Sequence, residues 1–310
     1  MDKSESAEQK YAGIYPAFYA CYDDIGEISK TRTQALARHF LARGVNGLYV
    51  NGSSGECIYL SVEERKLVLE QVMEAVGGKI TVIAHVACNN TRDSMELARH
   101  AEKLGVDAIA AIPPIYFHLP DHAIAKYWND ISAAAPNTDF FIYNIPQLAG
   151  VALTLPLYRE MLKNPRVKGV KNSSMPVQDI QQFKNEGGEK ITVFNGPDEQ
   201  LAAGLIMGAD GGIGGTYGAM PGLYLKVYDL VREGRNAEAT ALQNDICRII
   251  TLLCSCRGHM YAVIKELLRR GGISCGSVRA PLTALASEDT KQVDLCEKMI
   301  KQAGKDYLGM

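Results

Sequence analysis

Eight short apolar runs, each followed by a stretch with helical spacing, constrain the fold of this chain more than any other feature. The runs cover residues 13–19, 47–50, 81–86, 108–112, 139–145, 167–171, 191–195 and 211–214. Several are apolar at every position instead of alternating, as strands are when both faces of a parallel sheet are covered. The stretches between them carry helix punctuation. Ser61-Val62-Glu63-Glu64 is a capping box, Val68, Val72 and Val76 repeat at four-residue spacing, and Gly77-Gly78 ends the helix. A second helix begins near Thr91, carries Leu97, Ala101 and Leu104, and stops at Gly105. Pro156 falls where the first turn of a helix after Thr154 tolerates it.

Eight β/α units in a row predict an α/β fold, a (β/α)8 TIM barrel, over residues 1–234. A doubly wound open sheet is the alternative, but no Gly-x-Gly-x-x-Gly opens the first unit. From Arg235 onward the strand signals stop while helical spacing continues through Leu252, 264–268 and Met299. Residues 235–310 therefore read as an appended C-terminal helical segment packed on the barrel, one structural unit with it.

Apolar residues make up 47% and charged residues 22% of the chain, the balance of a soluble enzyme with a sizeable core. A formal charge of -2 gives no reason to expect nucleic acid or a membrane surface as partner, and no apolar run is long enough to cross a bilayer. Residues 1–10 are polar and charged, unlike an export signal. The eight cysteines are scattered without a Cys-x-x-Cys pair, and Cys254 and Cys256 are expected on different faces of a helix. They read as buried thiols in a reducing compartment, which points to the cytoplasm.

Active sites of such barrels lie at the carboxyl ends of the strands. The run 167–171 ends on Lys171, where an ammonium group is out of place, and the run 139–145 sets the phenol of Tyr143 beside it. An amine held partly out of water gives up its proton readily, and the neutral amine attacks ketones to form a Schiff base. After the second run comes Asn51-Gly52-Ser53-Ser54-Gly55-Glu56. Its glycines let backbone approach a ligand, and its amides and two hydroxyls suit an anion. Without a Gly-Lys-Ser/Thr ending it is no nucleotide loop, so it reads as a cradle for a small carboxylate or as a plain turn.

After the seventh run, Asn195-Gly196-Pro197-Asp198-Glu199 offers two acids, either ligand acceptors or caps for the next helix. After the eighth, Gly211-Gly212-Ile213-Gly214-Gly215 removes side chains where a ligand needs room. Taken singly, Tyr143 reads as a core tyrosine and Lys171 as a strand-end lysine reaching solvent. Gathered at one end of a barrel they read as a site. Metal chemistry is poorly supplied, because His118 and His122 are the only histidines close in sequence and Pro120 spoils their helical spacing.

Together with Arg279-Ala280-Pro281-Leu282, these segments resemble, over nearly the whole chain, the N-acetylneuraminate lyase and dihydrodipicolinate synthase superfamily of class I, Schiff-base aldolases. The resemblance implies that Lys171 forms a Schiff base with the keto carbon of pyruvate or a 2-keto acid. It implies that Ser53 and Ser54 hold the carboxylate, and that Tyr143 relays the proton to or from the hydroxyl at the cleaved bond. It also implies no metal or dissociable cofactor, a homotetramer, and an approach of Tyr116, in Pro113-Pro114-Ile115-Tyr116-Phe117, to a neighbouring subunit's site.

Dihydrodipicolinate synthases carry an arginine two residues past the proline of their Tyr-Asn-x-Pro motif, where this chain has Leu148. A buried leucine there cannot replace a guanidinium fork on a second carboxylate. Lyases that cleave sialic acid are resembled more closely, through Ser173 two residues after the lysine and through Gly196, Asp198 and Glu199, whose acids suit a polyhydroxylated sugar tail. Gly214 and Gly215 fall in the same substrate site. The chain departs from that pattern at Gly215, usually serine, at Ser173, usually threonine, and at Pro197, usually aromatic.

The expected function is reversible cleavage of N-acetylneuraminate to N-acetylmannosamine and pyruvate, a step of sialic acid catabolism. Gly215 keeps open a related aldolase or dehydratase acting on another sugar acid. A barrel that binds a 2-keto acid without turning it over is the third reading, against which the Lys171–Tyr143 pair speaks.

Overall fold

The computed structural model describes residues 10–309. The polar opening segment read above lies, except for Lys10, outside the described residues. Eight strands form: β1 Gly13–Pro16, β2 Gly47–Val50, β3 Thr81–His85, β4 Ala108–Ala111, β5 Asp139–Asn144, β6 Val167–Asn172, β7 Thr192–Asn195 and β8 Gly211–Gly214. All pairings are parallel, in the order β1-β8-β7-β6-β5-β4-β3-β2. The circle closes where Ala17 bridges Tyr49 and the Phe18 amide donates to the Tyr49 carbonyl at 2.9 Å. The (β/α)8 barrel expected from the sequence is the fold. The first run yields a shorter strand than 13–19: β1 ends at Pro16, and beyond it Ala17 makes an isolated bridge to Tyr49.

The outer ring is α1 Lys30–Ala42, α2 Val62–Val76, α3 Thr91–Leu104, α4 Asp121–Ala134, the short α5 Pro146–Ala149, α6 Leu155–Met161, α7 Gln178–Gly187, α8 Leu201–Ile206 and α9 Pro221–Arg232. The local signals place these helices well. Ser61 and Glu64 make the reciprocal capping box of α2, and Gly105 ends α3 in the left-handed region at φ 75°. Thr154 caps α6 ahead of Pro156. Pro120 stands at the cap of α4, so His118 precedes the helix that carries His122. Helices α10 Asn236–Cys254, α11 Met260–Arg270 and α12 Thr290–Leu308 follow, with α10 and α12 packed on α9.

Strand side chains alternate between two cores. Ile14, Leu48, Val50, Val82, Ile142, Val170 and Val193 face the helices, while Tyr15, Tyr49, Ile83, Phe141, Tyr143, Phe194 and Ile213 fill the barrel. On β6 this parity sends Val170 outward and Lys171 inward. Gly169, the inward position below Lys171, has no room for a side chain: a Cβ there would fall on the Phe141 ring and the Thr192 carbonyl. The aromatic floor of the barrel thus sits directly beneath the lysine.

Two expectations are corrected. Cys21, Cys275 and Cys296 are buried, but Cys57, Cys88, Cys247 and Cys256 are half-buried and Cys254 is exposed; all eight are free. Helix α10 stops at Cys254, with Ser255 as its C-cap, so Cys256 is not on that helix at all. Among the described residues no helix is long and apolar enough to cross a membrane.

Candidate active site

Two lysines are buried among the described residues, and their surroundings differ. Lys265 forms an ion pair with Glu56 at 2.7 Å. Lys171, only 5% exposed, instead has its Nζ over two aromatic faces, 4.2 Å from the Tyr49 ring centre and 4.0 Å from that of Tyr143. Strand register sets the second contact, since Tyr143 of β5 is the direct partner of Lys171 on β6. The neighbouring partners Asn144 and Asn172 lock that register through a side-chain hydrogen bond of 2.7 Å. Asn144 also accepts from the Leu153 amide, and Asn172 from the Ser174 hydroxyl. These links tie the strand ends to the loops that follow them.

Ser53-Ser54-Gly55 is a 3-10 turn at the end of β2, with Gly52 before it and Glu56 closing it in the left-handed region at φ 54°. Ser54 is buried, and its Oγ lies 3.1 Å from the hydroxyl of Tyr261, the second residue of α11. The cradle loop is therefore set at the carboxyl end of the barrel, following the strand that carries Tyr49. The His85 Nδ1 hydrogen-bonds the Asn51 carbonyl at 2.9 Å, and the buried Arg65 donates to the carbonyls of His85 and Ala87. Burial, with the Arg65 charge beside it, holds the His85 imidazole well below its usual range, so it is neutral.

Asp198 is buried, and its Oδ2 accepts from both the amide and the hydroxyl of Thr216 at 2.6 Å. Burial raises the carboxyl to about 6 despite those two donors. Neither acid caps a helix: the turn Asp198–Gln200 has no side-chain cap bond, and Glu199 is exposed. Ser173 packs on Gly196, where any Cβ would fall on the serine Oγ.

The glycine run differs from its sequence reading. At Gly212 and Gly214 a Cβ would strike the Tyr217 ring, and at Gly214 also Asp198 Oδ1, so these positions serve protein packing rather than ligand room. Gly215 is different. A Cβ there would lie 3.0 Å from Ser54 Oγ and 3.5 Å from Tyr261, at the edge of the cradle. Leu148 is also corrected: it is 60% exposed on the short helix α5, not buried. The missing guanidinium still stands as the argument against a second carboxylate site, without the burial.

Sequence reasoning thus named Lys171, Tyr143, Ser53, Ser54, Ser173, Gly196, Asp198, Glu199, Gly214 and Gly215, all on loops or strand ends at the carboxyl side of β2, β5, β6, β7 and β8. Tyr116 lies after β4, 86% exposed and at φ 83°. Tyr49, His85, Thr216 and Tyr261 were missed. Tyr49 was findable, because alternation along 47–50 turns it inward two residues before the cradle. Tyr261 had no local signal, being 207 residues from its partner. Among the described residues no three or more His, Cys, Asp or Glu side chains gather as metal ligands do.

The sequence pattern of the dihydrodipicolinate synthetase family matches residues 10–303. The N-acetylneuraminate lyase of Mediterraneibacter gnavus is 62% identical over 301 residues, covering 97% of this chain and 96% of that protein. The N-acetylneuraminate lyase of Enterobacter sp. strain 638 is 33% identical, covering 96% and 93%. Among solved structures, a catalytic lysine mutant of the Ruminococcus gnavus sialic acid aldolase superposes with a TM-score of 0.96 at 62% identity, covering 96% of this chain and 98% of that one. With a match of this extent, on a barrel that gathers a buried lysine, a tyrosine and a serine cradle, the chain belongs to the dihydrodipicolinate synthetase family.

Proposed function

We propose that this protein is a Schiff-base aldolase that cleaves N-acetylneuraminate reversibly to N-acetylmannosamine and pyruvate. The observation that carries the reading is the inward-facing Lys171, enclosed by Tyr49 and Tyr143 above a closed aromatic floor. The named relatives at 62% and 33% identity support the choice of substrate.

The chemistry follows from the placement. The neutral amine of Lys171 adds to C2 of the open-chain keto acid, and loss of water leaves an iminium. Breaking the C3–C4 bond sends its electron pair into that iminium, giving the enamine of pyruvate. Tyr143 relays the C4 hydroxyl proton, taking it at the phenol oxygen as its own phenol proton passes on toward C3 of the enamine, and C4 becomes the aldehyde carbon of N-acetylmannosamine. Protonation of the enamine at C3 and hydrolysis release pyruvate and restore the lysine. Ser53 and Ser54 hold the carboxylate. Asp198, whose Oδ2 is already engaged by Thr216, keeps Oδ1 to accept from sugar hydroxyls, together with Glu199, and Ser173 and Gly196 shape the same wall.

Incubation with pyruvate and borohydride tests this directly, with a pyruvyl-derived mass increase expected on the peptide containing Lys171. An unmodified peptide would overturn every Schiff-base step. Pyruvate release from sialic acid and from several 2-keto-3-deoxy sugar acids tests the substrate. Gly215, which leaves the cradle edge open, favours a second reading in which another sugar acid turns over faster.

The eight free thiols suit a reducing compartment, and we place the enzyme in the cytoplasm. The exposed Tyr116 and Phe117 are apolar surface of the kind an oligomer covers, and we assign them to a contact within a homotetramer.

A further inference from the structure

The Ser53–Gly55 turn is held by groups that form no hydrogen bond with Lys171. Glu56, which closes the turn, adopts a left-handed backbone conformation that a residue with a Cβ takes only when its surroundings enforce it. Its side chain supplies the enforcement. The carboxylate is fully enclosed, with Oε1 accepting from Lys265 Nζ at 2.7 Å. Oε2 accepts from the Tyr22 hydroxyl at 3.1 Å and the Arg279 amide at 2.8 Å. Lys265 in turn donates to the Ser277 carbonyl at 2.6 Å and lies 4.7 Å from the Tyr22 ring centre. Lysine and carboxylate are thus bound to each other and to two further segments of the chain, one at Tyr22 and one at Ser277–Arg279.

Lys265 and Tyr261 are four residues apart on α11 and so lie on one face of it. Tyr261 meets Ser54, and Lys265 meets Glu56 two residues on. One helix of the C-terminal segment therefore grips the cradle loop at two successive points. Both side chains are fully enclosed by protein, which separates them from the groups that touch substrate.

We infer that the buried Glu56–Lys265 pair is a positioning device for the keto-acid carboxylate, fixing the Ser53-Ser54 turn through helix α11. The inference rests on the reading that Ser53 and Ser54 hold that carboxylate. Because the pair acts on the cradle and not on the lysine or the tyrosine, it governs how tightly the keto acid is held more than how fast the C3–C4 bond breaks.

The test compares Lys265→Met, Glu56→Gln and Ser54→Ala with the parent enzyme. The readouts are the pyruvate concentration giving half-maximal borohydride trapping at Lys171, kcat and KM for condensation, and the thermal midpoint. Lys265→Met and Glu56→Gln are expected to raise the half-saturating pyruvate about tenfold or more, with kcat at saturating pyruvate within about threefold of the parent. Adding Ser54→Ala to Glu56→Gln should then raise it little further, since both changes act on one contact. Glu56→Gln keeps a carbonyl acceptor and the side-chain shape, so it decides the matter where Lys265→Met does not fold. If Ser54→Ala raises the pyruvate requirement while the folded Glu56→Gln protein does not, the positioning role is overturned and the cradle stands. If Ser54→Ala leaves the requirement unchanged, the cradle reading falls and the inference falls with it. A lowered thermal midpoint with unaltered KM would assign the pair to stability alone and would also overturn the proposal.

Discussion

Replacing Asp198 by Asn should remove a pH dependence of stability that runs opposite to that of most carboxylates. Asp198 is buried, and both donors it meets, the Thr216 amide and hydroxyl, fall on a single oxygen. Burial outweighs them and raises the folded-state carboxyl from 3.8 to about 6. Between those values the unfolded chain has released the proton while the folded protein still holds it, so stability falls as pH rises. Its contribution is complete below 3.8 and is lost as pH climbs through about 6. Two pH units at ~1.4 kcal/mol each give a loss of roughly 3 kcal/mol.

Asparagine keeps the shape and an oxygen for Thr216 but carries no charge at any pH. The stability difference between parent and Asp198→Asn should therefore shift against the parent by roughly 3 kcal/mol between pH 4 and pH 7.5. For a chain of this length that corresponds to about 4–5 °C in thermal midpoint. Thermal melts of both proteins, at one protein concentration and across that range, measure it. A difference independent of pH, or one that grows in the parent's favour with pH, would refute the reasoning. Activity supplies a parallel check: below pH about 6 the parent's carboxyl gains a proton and loses an acceptor for sugar hydroxyls, so KM for the sugar should rise in the parent alone.

Tyr143→Phe should lower turnover by ~10²–10⁴-fold, the usual worth of a general acid or base, while borohydride still traps pyruvate on Lys171. Near-normal turnover would remove Tyr143 from the proton relay. Gly169→Ala would place a methyl against Phe141 and the Thr192 backbone, so it should cost ~1–3 kcal/mol and lower the thermal midpoint. An unchanged midpoint would mean the floor beneath Lys171 yields freely. Ser61→Ala removes one half of the capping box of α2, far from Lys171 in chemistry, and should cost about 1 kcal/mol in denaturant melts with kcat unchanged.

Much of the fold was legible because its signals are local. The runs 47–50 and 211–214 match their strands at both ends, and Ser61, Gly105 and Thr154 punctuate helices where their side chains or backbone require it. Alternation along β6 is enough to turn Lys171 inward once its outer neighbour Val170 faces the helices. The glycines were harder. At Gly212 and Gly214 a missing side chain looked like room for a ligand, yet Tyr217 and Asp198 fill that room.

The sequence by itself determined the eight β/α units, their caps, and the inward lysine with a tyrosine one strand away. These depend on residues close in the chain, where spacing and propensity act directly. Only the tertiary structure decided what stands behind them. Ser54 meets Tyr261 across 207 residues and Glu56 meets Lys265 across 209, and no local pattern announces either contact. The environment of Asp198 and the exposure of Leu148 belong to the same class. Burial is a property of everything packed around a group, and that is set when distant segments close over the carboxyl end of the barrel.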